Sequence, residues 1–175
     1  TPQSGFSLDV TNDGISLSAS DEKNLIYGYF ALLERIRPIC TKKGEERFSI
    51  ECCKISDQAK IKVRMLHLCV FPETPLCFLK KMLRTAGFLR YTHVVIEFWG
   101  MLKFDCLKEL SWKEAYTKEQ VRPILNEAKD LGLELVPMFN HWGHAASASV
   151  SVGKHVVLDQ NLSLAPLFSD TGWEW

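Results

Sequence analysis

Aromatic, amide, imidazole and carboxylate side chains gather in three short stretches of this sequence. Phe71-Pro72-Glu73-Thr74 is the first, Glu97-Phe98-Trp99 with the later Asp105 the second, and Asn140-His141-Trp142 with His144 the third. Aromatic faces stack on the apolar C–H face of a sugar ring while amides and carboxylates bind its hydroxyl rim, so this mixture suits a carbohydrate. Each group also has a plainer role. Trp99 and Trp142 serve equally well as core packing. His67, flanked by apolar neighbours, reads as a satisfied core histidine. Glu97 is harder to absorb into packing, because a buried carboxylate without a partner is costly. His141 and His144 have metal-ligand spacing, but the Glu of a zincin motif is missing. No metal is therefore assigned, and a metal-dependent hydrolase centred on these two histidines stays a third reading. Asp21-Glu22 is explained by a helix start. With no Gly-rich phosphate loop, no Gly-x-Ser-x-Gly elbow and no nucleophilic cysteine context, no cofactor is expected.

Strands must carry these three stretches. Val63–Phe71, His93–Trp99 and Leu133–Phe139 are near-continuous apolar runs, the pattern of parallel strands buried on both faces. Helical spacing fills the gaps. Thr74-Pro75 opens a helix through Leu76, Phe78, Leu79, Met82 and Leu83, with Gly87 as its stop. Thr117-Lys118-Glu119-Gln120 forms a capping box before Val121, Ile124, Leu125, Ala128 and Leu131, then Gly132, and Pro123 predicts a kink or a later start. Strand–helix–strand–helix–strand is a βαβαβ layer, whose carboxyl edges are where functional groups collect. Val156–Leu158 is a short strand or extended stretch. Residues 169–175 close no element and read as a cut.

The grammar is different upstream. Phe6–Val10 and Ile15–Ala19 alternate apolar and polar residues around Asn12-Asp13-Gly14, a hairpin. Ser20 is placed to cap a helix whose stripe is Leu25, Tyr29, Leu32, Leu33 and Ile36, ending near Pro38. Phe48, Ile50 and Cys52 alternate as a further strand. The expected division is a small α+β domain over residues 1–58 and an α/β layer over 59–175.

Composition narrows the partners. The 175 residues carry 21 Lys plus Arg and 21 Asp plus Glu, a formal charge of zero with no footprint for nucleic acid or an anionic membrane. No apolar run reaches the roughly 18–20 residues of a membrane span. Six cysteines without a Cys-x-x-Cys pair read as reduced, mostly buried thiols, which favours a cytoplasmic setting. Because the chain does not begin with Met, a leader removed upstream is the alternative.

The stretch Tyr116-Thr-Lys-Glu-Gln-Val-Arg-Pro-Ile-Leu-Asn-Glu-Ala-Lys-Asp-Leu-Gly-Leu-Glu-Leu-Val-Pro-Met-Phe-Asn-His-Trp-Gly-His144 resembles the second helix and third barrel strand of family 20 glycoside hydrolases, the β-N-acetylhexosaminidases. Residues 6–37, with Tyr27-Gly28 and Leu32, resemble that family's small amino-terminal domain. The resemblance implies a small α+β domain followed by an incomplete (β/α)8 (TIM) barrel of about three βα units. By the same resemblance His144 matches the histidine that supports the catalytic acid. Arg64 matches the arginine that holds the sugar's outer hydroxyls, with Met65 and Cys69 standing where the family has Gly and Asp. Asn140 and Trp142 stand where it has an acidic residue and Pro, and Glu97 lies near its polar second-strand end. The implied substrate subsite is thus Arg64, Glu97, Trp99, Asn140 and Trp142. The implied reaction removes terminal N-acetylhexosamine from glycans with retention: an Asp orients the substrate's own acetamido nucleophile and a Glu protonates the leaving oxygen. That Asp-Glu pair ends the family's fourth strand, and no Asp-Glu dipeptide follows residue 22 here. The expectation is an amino-terminal portion, inactive alone, whose open sheet is covered by a second copy or by the remaining barrel chain. A non-catalytic carbohydrate-binding or interaction module is the alternative.

Overall fold

The computed structural model describes Pro2 and residues 4–40, 46–98, 100–106, 108 and 111–138. These residues form a mixed α+β chain with three helices and three small sheets, in two compact units that meet in sequence between Arg64 and Met65.

In the first unit, β1 (Phe6–Thr11) and β2 (Gly14–Ala19) pair antiparallel from Phe6↔Ala19 to Thr11↔Gly14. Alternation sends Phe6, Leu8 and Val10 inward, and all three are buried. Helix α1 (Glu22–Leu33) packs on this face through Tyr27 and Ala31. The expected stripe is therefore right only in part: Leu32 packs against this core, but Leu25 and Tyr29 are 45% and 51% exposed. Gly28 explains the shift, since a Cβ there would lie 2.4 Å from Leu17 Cδ1 and 3.1 Å from the Phe6 ring. The helix uses its hydrogen-only position to approach the sheet. It ends at Leu33, well before Pro38, which lies in β3 (Arg37–Cys40), paired antiparallel with β4 (Glu46–Ser49). The strand expected through Phe48 and Cys52 is split: β4 stops at Ser49, and β5 (Cys53–Asp57) pairs antiparallel with β1.

The cap of α1 is also one residue later than expected. Asp21 Oδ1 accepts from the Asn24 N–H at 2.8 Å, while Ser20 Oγ donates to Asp21 Oδ2 at 2.9 Å. The Asn24 backbone bond holds the Asp21 carboxyl below the usual carboxylate range. A lowered folded-state pKa means stability present above the unfolded pKa and lost as pH falls through the folded one. Asp21→Ala should cost about 1 kcal/mol near neutral pH, by urea unfolding, and the difference should shrink on acidification through the carboxylate range.

In the second unit, β6 (Met65–Cys69), β7 (His93–Glu97) and β8 (Glu134–Met138) form a parallel sheet in that order. Its rows run Met65↔His93↔Glu134 to Cys69↔Glu97↔Met138. Helices α2 (Leu76–Phe88) and α3 (Lys118–Asp130) make the crossovers. Leu66, Leu68, Val94, Ile96, Leu133 and Leu135 share one core with Leu79, Leu83, Val121 and Ala128. The strands were expected to be buried on both faces, but Met65, His67, Glu134 and Met138 on the other face are exposed. The helices cover a single face, so only every second residue of each apolar run meets the core. Gly87 is not the stop of α2. It lies inside the helix, where a Cβ would stand 3.0 Å from Leu131 Cβ, and Arg90 at φ +62° follows the helix end. In α3 the capping box forms as expected, Thr117 Oγ1 accepting from Gln120 N–H and Gln120 Oε1 from Thr117 N–H. The helix starts at Lys118 and continues through Pro123.

Between β7 and α3 the chain folds back on the core, burying Met101, Trp112 and Ala115. Cys52, Cys77 and Cys106 are exposed and Cys53 and Cys69 half-buried, so the expectation of mostly buried thiols fails for these five. Among the described residues none forms a disulfide, and no helix is long and apolar enough to cross a membrane.

Candidate functional site at the carboxyl edge of the parallel sheet

Period-two alternation sets the open face of the parallel sheet. On β6, Leu66 and Leu68 turn to the helices, which leaves Met65, His67 and Cys69 on the opposite side. On β7 the same rule assigns His93, Val95 and Glu97 to that side. The register then brings Cys69 and Glu97 abreast at the carboxyl ends of adjacent strands, with His67 one pleat upstream.

The side chains meet there. His67 Nε2 lies 2.8 Å from Glu97 Oε2. The Cys69 thiol donates to the same oxygen at 3.5 Å, and its sulfur is 3.8 Å from His67 Nε2. Glu97 is almost fully enclosed, its side chain 3% exposed, whereas that of His67 is 47% exposed. A desolvated carboxylate needs a cationic or hydrogen-bonding partner, and His67 and Cys69 both supply one. At the amino edge of the same face, His93 Nε2 lies 3.1 Å from Glu134 Oε2. Two His–Glu pairs thus line one side of a small sheet.

Loops at the carboxyl edge are braced to each other. Thr74 Oγ1 accepts from the Phe71 N–H at 3.1 Å, and the Tyr116 hydroxyl donates to the Thr74 carbonyl at 2.7 Å. The segment after β7 is fixed by the Leu102↔Tyr116 bridge and by Gly100, whose close seat against the Trp112 indole leaves no room for a Cβ. Lys118 pairs with Asp105 and holds its carboxyl below the usual range, which engages that acid at the start of α3. A groove of about 500 Å³ borders α3 and β8, with Ile96, Val121, Leu125 and Leu135 among its apolar walls and Lys118, Arg122, Asn126 and Lys129 of α3 as its polar ones.

Of the residues singled out from sequence, Glu97 stands at this edge, buried and partnered. Arg64 lies in the first unit, its guanidinium 5.5 Å from the centroid of the Tyr27 ring and hydrogen-bonded to the Ile61 carbonyl. Burial pushes the Tyr27 hydroxyl pKa up, and Arg64 opposes that shift. Trp99, Asn140, His141, Trp142 and His144 lie outside the described residues. His67 is corrected: it is no core histidine but a half-exposed partner of Glu97. It and Cys69 were missed as a pair, although the alternation Met65-Leu66-His67-Leu68-Cys69 already placed both on one face.

No protein-family model matches the sequence, and no curated protein matches it. Solved structures do match by fold. A Flavobacterium johnsoniae chitobiase aligns with 80% of this chain at 22% identity and a TM-score of 0.68, over 22% of its own length. A Bacteroides fragilis β-N-acetylhexosaminidase aligns with 82% at 21% identity and TM-score 0.68, over 32% of its length. A Vibrio harveyi family 20 exo-β-N-acetylglucosaminidase, solved with N-acetylglucosamine, aligns with 97% at 13% identity and TM-score 0.69, over 28% of its length. The chain spans less than a third of each of these proteins. In fold, then, this chain corresponds to the amino-terminal portion of the family 20 β-N-acetylhexosaminidases, the family its sequence resembles.

Proposed function

We propose that the chain is the amino-terminal portion of a glycoside hydrolase that removes terminal N-acetylhexosamine from glycans. In this reading residues 1–58 are the small α+β domain and residues 59–175 contribute the first three βα units of a (β/α)8 barrel. One observation carries it: a parallel β6-β7-β8 sheet with its helices on one face, in a chain whose fold likeness to these enzymes extends over 80–97% of its length in the three comparisons. Barrel enzymes build their sites at the carboxyl ends of the strands, which is where Glu97 and its partners stand.

The open face supports the same reading. Met65 and Met138 are 50% and 39% exposed on it, and three parallel strands cannot close into a barrel. Further strands, or a second copy of the chain, would cover that face. Glu97 would hydrogen-bond sugar hydroxyls. Arg64, Trp99, Asn140 and Trp142 are the other sugar ligands the resemblance names, and His144 the support of the acid. Reaction with retention needs an Asp to orient the acetamido group and a Glu to protonate the leaving oxygen. The sequence given has no such pair after residue 22, so this chain alone is inactive in the proposal.

The test compares this chain with the product of its reading frame continued past Trp175, both assayed on 4-nitrophenyl N-acetyl-β-glucosaminide and its galacto epimer. The longer product should turn over at least one of them, and His144→Ala should lower its kcat by about tenfold or more. The chain alone should stay at background. A folded longer product inert on both substrates overturns the reading. Binding of N-acetylglucosamine without turnover in both proteins would instead favour a non-catalytic carbohydrate-binding module.

A further inference from the structure

We propose that His67, Cys69 and Glu97 form a zinc-type divalent metal site at the carboxyl edge of the parallel sheet. Among the described residues they are a group of three metal-ligating side chains with one donor atom each, all within 4.8 Å of one another. The spacing is close to what a tetrahedral ion imposes. Zinc bonds of about 2.3 Å to sulfur and about 2.0–2.1 Å to nitrogen or oxygen put ligand atoms about 3.3–3.6 Å apart. The sulfur stands 3.5 Å from Glu97 Oε2 and 3.8 Å from His67 Nε2, near those values. The nitrogen–oxygen separation of 2.8 Å is that of a direct hydrogen bond and would open by about 0.5 Å as the ion replaced the shared proton. His67 has the room to move, being half-exposed.

Chemistry favours the same ion. Thiolate, imidazole and carboxylate together select a borderline-soft cation such as Zn²⁺ over Mg²⁺ or Ca²⁺, which prefer all-oxygen shells. One thiolate and one carboxylate neutralise the 2+ charge, so a filled site leaves no net charge beside the enclosed Glu97. Backbone register holds two of the three donors, because Cys69 and Glu97 are paired residues of adjacent strands. Three protein ligands leave the fourth position for water or a ligand oxygen, the arrangement of catalytic and ligand-binding zinc sites and not of closed structural ones. The site does not rest on the sugar-cleaving reading and stands or falls separately.

Co²⁺ and Zn²⁺ titrated into the EDTA-stripped full chain test it. One Co²⁺ per chain should give tetrahedral ligand-field bands and a thiolate-to-cobalt charge-transfer band, both abolished by Zn²⁺. Cys69→Ser should remove the charge-transfer band. His67→Ala and Glu97→Gln should each weaken Zn²⁺ at least about tenfold by calorimetry, with Cys106→Ser unchanged as the control thiol. Absence of the charge-transfer band in the unsubstituted chain overturns the assignment, and this reading needs no variant to fold. Its persistence in Cys69→Ser, or equal losses in Cys106→Ser, overturns it as well. Cobalt bound without a sulfur band, as His141 and His144 would bind it, counts against it in the same way.

Discussion

Gly5→Ala should destabilise the amino-terminal unit by about 3 kcal/mol, the sum of a left-handed backbone cost and an overpacking cost of about 1–2 kcal/mol each. Gly5 has φ +80°, a conformation in which an L side chain crowds its own backbone. A Cβ there would also stand 2.1 Å from the Asp57 carbonyl oxygen and 3.0 Å from Gln58 Cα. Those neighbours are main chain, so no rotamer change relieves the clash. Relief requires moving β5 away from β1, whose ladder ends at Phe6↔Asp57, or losing the Ser20 N–H bond to the Gly5 carbonyl at 3.0 Å. Gly14→Ala separates the two contributions. Its φ is +154°, but nothing lies within 4 Å of the added methyl, so only the conformational cost applies. Urea unfolding followed by far-UV circular dichroism should rank Gly5→Ala well below Gly14→Ala in midpoint. Equal midpoints would show that the β1–β5 junction yields freely.

The second large effect concerns the buried carboxylate. In chelator-treated protein, His67→Ala should cost about 2–3 kcal/mol. Removing one partner of a fully enclosed ion pair costs about 3–5 kcal/mol, and the figure is lower here because water can reach the vacated position of the half-exposed His67 and Cys69 still donates to Glu97. The penalty comes from taking the imidazole away from an enclosed carboxyl that keeps Cys69 as a donor, and a second substitution tests this. Adding Glu97→Leu to His67→Ala should restore most of the loss, because it removes the buried polar group that His67 helped to compensate and returns apolar area to the sheet. The double variant should therefore unfold at a higher urea concentration than His67→Ala alone. If the two losses simply add, the pair is not coupled and Glu97 takes its compensation from elsewhere.

The strand ends that a barrel would use for a sugar also bring His67, Cys69 and Glu97 together. Glycoside binding measured with and without Zn²⁺ should show whether an ion there changes how a sugar is held.

Local order was written plainly in the residues. The Asn12-Asp13-Gly14 hairpin, the Thr117–Gln120 capping box and the three apolar runs separated by helices each depend on neighbours in the chain, so spacing alone revealed them. The likeness to family 20 enzymes came from a resemblance of motif, from Tyr116 through His144. Contacts between distant segments decided the rest. Which stripe of α1 is buried was set by Gly28 seating on Leu17 and Phe6, and Gly87 serves a helix contact with Leu131 in place of a stop. That only one face of the parallel sheet meets its helices follows from where both crossovers fold. His67, Cys69 and Glu97 became a cluster only once β6 and β7 took their register, because strand pairing joins residues about thirty positions apart and neither strand's own sequence encodes its partner's offset.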